Sequence, residues 1–339
     1  MTTAATHSKQ HRSCRLVLSA VLAAVVAGAF APAAFSRTDT AKDLVHIWTI
    51  RYTAHNGAVR KAYIVLPSWY GPEHNPPLPL VISPHGRGAT GLSNAAFWDT
   101  MPAIGRFAVI NPDGMGRTYP NFSYGDPGQI DDLAKMPDFA TKALPWLRID
   151  RSRVYALGSS MGGQETLLLV ARHPEILAGA AAMDSVTDLA RRYDQLLDLG
   201  CNSRCLQQHG KPLGEVLQDT MRTEVGGTPG TKPAAYATRS ALSQAGRIAS
   251  ARVPLQIWWS REDKIVTDQK TQSGALFTAV KHLNPCAPVS AYVGNWAHST
   301  EMRAHAQLPI ALSGFGLLPK SYEHLPRSVR HIDAPQCTV

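Results

Sequence analysis

Short apolar runs separated by turn-forming residues recur along this chain from about residue 46 onward. Residues 46–53 and 59–66 read as two strands joined across Asn56-Gly57, a strong short hairpin signal. Leu80-Val81-Ile82 and Phe107-Ala108-Val109-Ile110 are brief, continuously apolar runs, the pattern of buried strands. Residues 67–79 form a proline-rich loop, 94–104 read as a helix, and 119–128 are irregular. Pro137 opens a helix to about Leu147: proline is tolerated in a first turn, and Asp138 suits the positive end of the dipole. Further strands are predicted at 154–157, 176–183, 253–259 and 289–293, with a helix after Ser160 and another over 268–283, where Asp268 resembles an N-cap. An antiparallel opening hairpin followed by alternating buried strands and helices predicts a mostly parallel α/β sheet with helices on both faces. Residues 184–251 break that rhythm and read as an insertion or an elaborated crossover within one domain spanning 34–339.

The N-terminal stretch stands apart. Lys9, Arg12 and Arg15 precede an apolar run over 16–30, and Ala31-Pro32-Ala33 follows. This is the layout of a secretory signal peptide, read as residues 1–33, and it predicts export with no membrane anchor after cleavage. The 339 residues are 44% hydrophobic and 17% charged, a composition that excludes global disorder. The formal charge is +9, but no basic run is interleaved with aromatics, so a nucleic-acid partner is not expected.

Export changes the reading of the cysteines. Cys14 leaves with the leader, and Cys201, Cys205, Cys286 and Cys337 remain. An even count in an oxidising compartment predicts two disulfides, with three connectivities open. The favoured pairing is Cys201–Cys205 with Cys286–Cys337, which ties the tail to the body. A rival is a metal held by Cys201, Cys205 and His209, spaced along one helix face.

The candidate chemistry centres on Gly158-Ser159-Ser160-Met161-Gly162, between a predicted strand and a predicted helix. That context makes G-x-S-x-G a nucleophile elbow, with glycines where a Cβ would collide with neighbouring backbone. A serine hydroxyl needs a base, and the base needs a carboxylate to set its tautomer. Both are expected later in the chain, at the carboxyl ends of strands. Asp263 follows the strand over 253–259, with Glu262 and Asp268 as competitors. His298 follows the strand over 289–293; His282 and His305 fall on helices. Oxyanion donors are expected from the backbone N–H groups of Met161 and of Arg87, the latter in His85-Gly86-Arg87-Gly88 after the strand at 80–82. Trp296 and Tyr124 are candidate substrate-binding residues, with Trp69, Tyr119 and Trp258 as further aromatics. No metal or organic cofactor is required by these residues.

With these motifs the chain resembles the α/β-hydrolase superfamily. The carriers are His85-Gly86, Gly158-Ser159-Ser160-Met161-Gly162, Glu262-Asp263-Lys264-Ile265-Val266 and Ala297-His298-Ser299. Asn111-Pro112-Asp113-Gly114 and the run from Ile149 to Tyr155 resemble secreted esterases, the group that includes polyhydroxybutyrate depolymerases and feruloyl or acetylxylan esterases. The tract over 236–266 is similar to prolyl oligopeptidase-type catalytic domains. The resemblance implies an eight-stranded sheet and hydrolysis of a small-molecule or polymeric ester by Ser160, His298 and Asp263. Two rivals stay open: a serine peptidase of the prolyl oligopeptidase type, and a hydrolase-like binding protein without activity.

Overall fold

A computed structural model describes residues 44–114, 122–199, 210–299, 307–333 and Cys337, all within one compact unit, Asp39–Val339. Its nine strands are β1 (Val45–Thr53), β2 (Val59–Pro67), β3 (Leu78–Ile82), β4 (Ala108–Pro112), β5 (Ile149–Ser159), β6 (Gly179–Met183), β7 (Leu255–Ser260), β8 (Val289–Gly294) and β9 (Arg330–Ile332). They form one sheet in the order β1-β2-β4-β3-β5-β6-β7-β8-β9. The pairs from β4 through β3 to β8 are all parallel; β1–β2, β2–β4 and β8–β9 are antiparallel. The expected count of eight is thus corrected to nine. The extra strand, β9, is a three-residue exposed edge segment too short to leave a periodic signal.

The helices are α1 (Gly91–Ala95), α2 (Met101–Gly105), α3 (Pro127–Ala134), α4 (Met136–Ala143), α5 (Met161–Arg172), α6 (Leu189–Gln195), α7 (Leu213–Val225), α8 (Pro233–Thr238), α9 (Ala245–Ser250), α10 (Ser273–Leu283) and α11 (Leu308–Gly314). Alternate residues of each central strand feed opposite cores. Ile64, Leu80, Ile82 and Ile110 join one apolar cluster with α3, α5, α9 and α10. Val65, Val81, Val109 and Leu157 join the other, with α1, α2 and α11. Burial on both faces is why these strands read as continuous apolar runs. No helix among the described residues is long and apolar enough to cross a membrane.

Three local departures have local causes. The helix expected over 94–104 is broken: Asp99 takes φ 42°, buried Trp98 donates Nε1–H to Ser83 Oγ, and Pro102 cannot supply the N–H that a continuous helix needs. Helix α3 occupies residues read as irregular or unassigned; its Asp126-Pro127 start, with Asp126 accepting from the N–H groups of Gly128 and Gln129, is a cap signal present in the sequence. Asp268 does not cap α10, which starts five residues later behind Gln272.

The 184–251 segment carries α6 to α9 and builds a small core of its own, in which Val186, Leu189, Leu196, Leu217 and Met221 pack with Tyr124 and Val266. Cys286 and Cys337 are disulfide-bonded across 51 positions, Cα to Cα 5.6 Å. Residues 1–33, read above as a signal peptide, together with Cys201, Cys205, His209, Tyr119 and His305, lie outside the described residues.

Candidate active site

Because β3, β5, β6, β7 and β8 run parallel, the chain leaves all five at the same edge of the sheet. The residues that follow them are His85-Gly86-Arg87, Ser160, Asp184, Asp263 and His298. Sites in open α/β sheets form at this edge because strands end there and loops diverge.

Ser160 sits between β5 and α5 at φ 61° and ψ −122°, a strained conformation for a residue with a Cβ. Its N–H donates to Met183 O at 2.9 Å, so β6 holds the bend in place. The flanking glycines are sterically obligatory. A Cβ on Gly158 would stand 2.4 Å from Gly162 O, and one on Gly162 would stand 2.2 Å from Pro84 O. Met161 is the first residue of α5, so its N–H has no partner within the helix. The loop after β3 lies against this bend: the Cβ position of Gly86 is 3.9 Å from Ser160 Cβ. His85 is buried and held neutral by that burial, and its Nδ1–H donates to Gly86 O at 2.8 Å, ordering the loop that carries Arg87.

Asp263 is buried and hydrogen-bonded on both oxygens. Oδ1 accepts from the N–H groups of Ile265 and Val266 at 2.8 and 2.9 Å; Oδ2 accepts from His298 Nδ1–H at 2.7 Å and from Gln269 Nε2 at 3.3 Å. The competitors Glu262 and Asp268 are exposed. With Nδ1 donating to a carboxylate, the free lone pair of His298 is on Nε2. Ser160 and His298 line one cleft of about 350 Å³. A hydrogen bond between Ser159 Oγ and Ser299 Oγ, 2.7 Å across 140 positions, ties the residue before the serine to the residue after the histidine. Among the described residues Ser160 Oγ itself makes no hydrogen bond, a common state without substrate.

The structure adds one acid the motifs did not single out. Asp184, directly after β6, is fully buried at φ 44°. Its Oδ1 accepts from Ser260 N–H at 2.8 Å; its Oδ2 accepts from Trp296 Nε1–H at 2.9 Å and Ser299 N–H at 3.2 Å. It therefore braces the loops after β7 and β8 at once. Burial, with Asp263 nearby, pushes its pKa up, while His298 and the two N–H donors oppose the shift. Ligand atoms of Asp184, Asp263 and His298 lie within 4.8 Å of one another, but N–H donors already occupy both carboxylates.

Of the two aromatic candidates, Tyr124 lines a second cavity at Ser160, with Arg87, Met161 and Arg192. Trp296 does not line either cavity at Ser160. Its ring packs in the core under β8, where Gly294 leaves room for it, and its Nε1–H is spent on Asp184. Trp258 is fully buried and Trp69 stacks beneath Arg106, so neither faces the serine.

The family model described as the prolyl oligopeptidase family matches residues 107–202, the stretch from β4 through the elbow to α6. That is upstream of the tract over 236–266 in which the likeness was read. No curated protein matches the chain. Among solved structures, a puromycin-hydrolyzing peptidase of Mycobacterium tuberculosis aligns at 18% identity and TM-score 0.59, covering 86% of this chain and 42% of that one. Porphyromonas gingivalis dipeptidyl peptidase 4 aligns at 19% and 0.56, covering 80% and 35%. An esterase of Pyrococcus furiosus aligns at 16% and 0.55, covering 82% and 94%. The chain thus spans less than half the length of these peptidases. The sheet, the elbow and these alignments agree on the architecture: the chain has the α/β-hydrolase fold, and its segment 107–202 is similar to the prolyl oligopeptidase family.

Proposed function

We propose that the protein is an exported carboxylic ester hydrolase working through an acyl-enzyme on Ser160. The observation that carries the reading is the joint placement of the strained Ser160 and the Asp263-bound His298 on one cleft. Ser160 Oγ attacks the acyl carbon and its proton passes to His298 Nε2. The Asp263 carboxylate stabilises the imidazolium and holds its orientation. Negative charge on the former carbonyl oxygen is met by the N–H groups of Met161 and Arg87. The C–O bond to the alcohol breaks as His298 returns the proton to the leaving oxygen. Water, deprotonated by the same imidazole, then attacks the acyl-enzyme; the acid departs and Ser160 recovers its proton.

Labelling with a fluorophosphonate followed by peptide mapping should find the adduct on Ser160. Ser160→Ala should lower p-nitrophenyl ester turnover by about a millionfold with the melting temperature unchanged. A folded variant that keeps its activity rules the mechanism out. The match to the prolyl oligopeptidase family over 107–202 favours a second reading, a serine peptidase. Proline-containing peptide amides cleaved in preference to the esters would establish that reading instead.

A further inference from the structure

Two cavities meet at Ser160, and they differ in kind. His298 lines the open cleft together with Gly86, Gly88 and Phe97. It does not line the other, a smaller and less open cavity of about 30 Å³. On the ester-hydrolase reading above, which this inference rests on, His298 must protonate the leaving oxygen. The alcohol portion therefore belongs in the larger cleft, and the smaller cavity is left for the acyl chain. At about 30 Å³ it admits only a small acyl group, so the chain must be short.

The lining combines apolar Val186, Leu189, Leu196 and Met221 with two arginines, Arg87 and Arg192. Arg192, on α6, is 4% exposed, yet it makes no ion pair among the described residues and its Nη1 has no hydrogen-bond partner. The hydroxyl of Tyr124, a residue 5% exposed, is likewise unpartnered. The half-exposed Arg87 adds a second guanidinium to the same cavity. Burial and the Arg87 charge pull the Arg192 pKa down to about 10, which still leaves it cationic at neutral pH. Asp263 and Asp198 lie near enough to oppose that shift, but neither lines the cavity, and neither forms an ion pair with Arg192 among the described residues. An anion entering the cavity gains two guanidinium groups and a partner for the unbonded Nη1.

We infer that the smaller cavity is a carboxylate subsite: the substrate is a hemiester of a short dicarboxylic acid, its free carboxylate received by Arg192 Nη1 and the Tyr124 hydroxyl. The inference concerns which acid is released, and leaves the chemistry at Ser160 as described.

The test compares p-nitrophenyl hemisuccinate with p-nitrophenyl butyrate, acyl groups of equal chain length, on the full chain. We expect kcat/KM to favour the hemisuccinate by about tenfold or more, the scale of one hydrogen bond to a charged group. Arg192→Met should reduce that ratio by at least about tenfold, and Tyr124→Phe, which removes only the hydroxyl, by a smaller factor. A ratio near or below one in the wild type, or one unmoved by both variants, overturns the subsite while butyrate turnover keeps the ester reading intact. If neither ester is cleaved, the ester reading fails. The subsite is then decided by calorimetric titration with succinate: binding that butyrate does not share and Arg192→Met abolishes upholds it, and no binding overturns it.

Discussion

At the scale of single residues, the carboxylate of Asp184 holds more of the site together than its silence in the sequence suggests. One side chain accepts from the backbone of Ser260, the indole of Trp296 and the backbone of Ser299, and so couples the acid-bearing loop to the histidine-bearing loop. In Asp184→Asn one acceptor oxygen becomes an NH₂ donor facing an N–H. At least one buried donor is then unsatisfied, at about 1–3 kcal/mol. We expect a lower melting temperature and, because Ser299 adjoins His298, a lower kcat with KM less affected. An Asn variant matching the wild type in both would show that the brace is dispensable. Trp296 illustrates the converse. An aromatic two residues before His298 invites a substrate-binding reading, but its ring is consumed by the core and by Asp184.

At the scale of elements, α5 is buried from Met161 to Ala171 and carries an acid into the core. Glu165 is hydrogen-bonded to Ser123 Oγ, and burial raises its pKa from 4.5 to about 8 against that hydrogen bond. The sign follows from linkage: the folded protein prefers the protonated form, so this contribution is whole below the unfolded value near 4.5 and is lost as pH rises toward 8. Glu165→Gln, which keeps a polar group without a proton to lose, should melt close to the wild type at pH 5 and above it at pH 8.5. Thermal denaturation at both pH values checks this; parallel curves would refute it. The same helix explains the contacts of the segment after the undescribed residues 115–121. Gln164 donates to Arg239 O, while Arg239 itself donates to Ser123 O and pairs with Asp126 at 2.7 Å.

At the scale of the whole molecule, the far end of the sheet is closed by covalent chemistry. β9 pairs with β8 over three residues only, and Cys337 beyond it is bonded to Cys286 just before β8. Closing a loop of 51 positions in the unfolded chain is worth about 4 kcal/mol by the chain-entropy relation. Cys286→Ser/Cys337→Ser, or a reductant on the wild type, should lower the melting temperature with turnover at moderate temperature retained. An unchanged transition would mean that the bridge adds nothing to stability.

The alternation of apolar runs, the glycine-flanked Ser160, and the order serine, acid, histidine could all be read without coordinates. Each reports something local: a strand buried on two faces, a bend that excludes Cβ atoms, a loop at a strand's carboxyl end. Asn56-Gly57 and Gly158 belong to this class, since their backbone demands are met within a few residues. Tertiary structure alone decided that Asp263, and not Glu262 or Asp268, faces His298, that Asp184 braces both loops, and that Arg192 is buried beside Ser160 with no hydrogen bond on Nη1 among the described residues. Those outcomes depend on which side chains meet once the sheet has closed, across separations such as the 140 positions between Ser159 and Ser299, and local pattern carries no information over that distance.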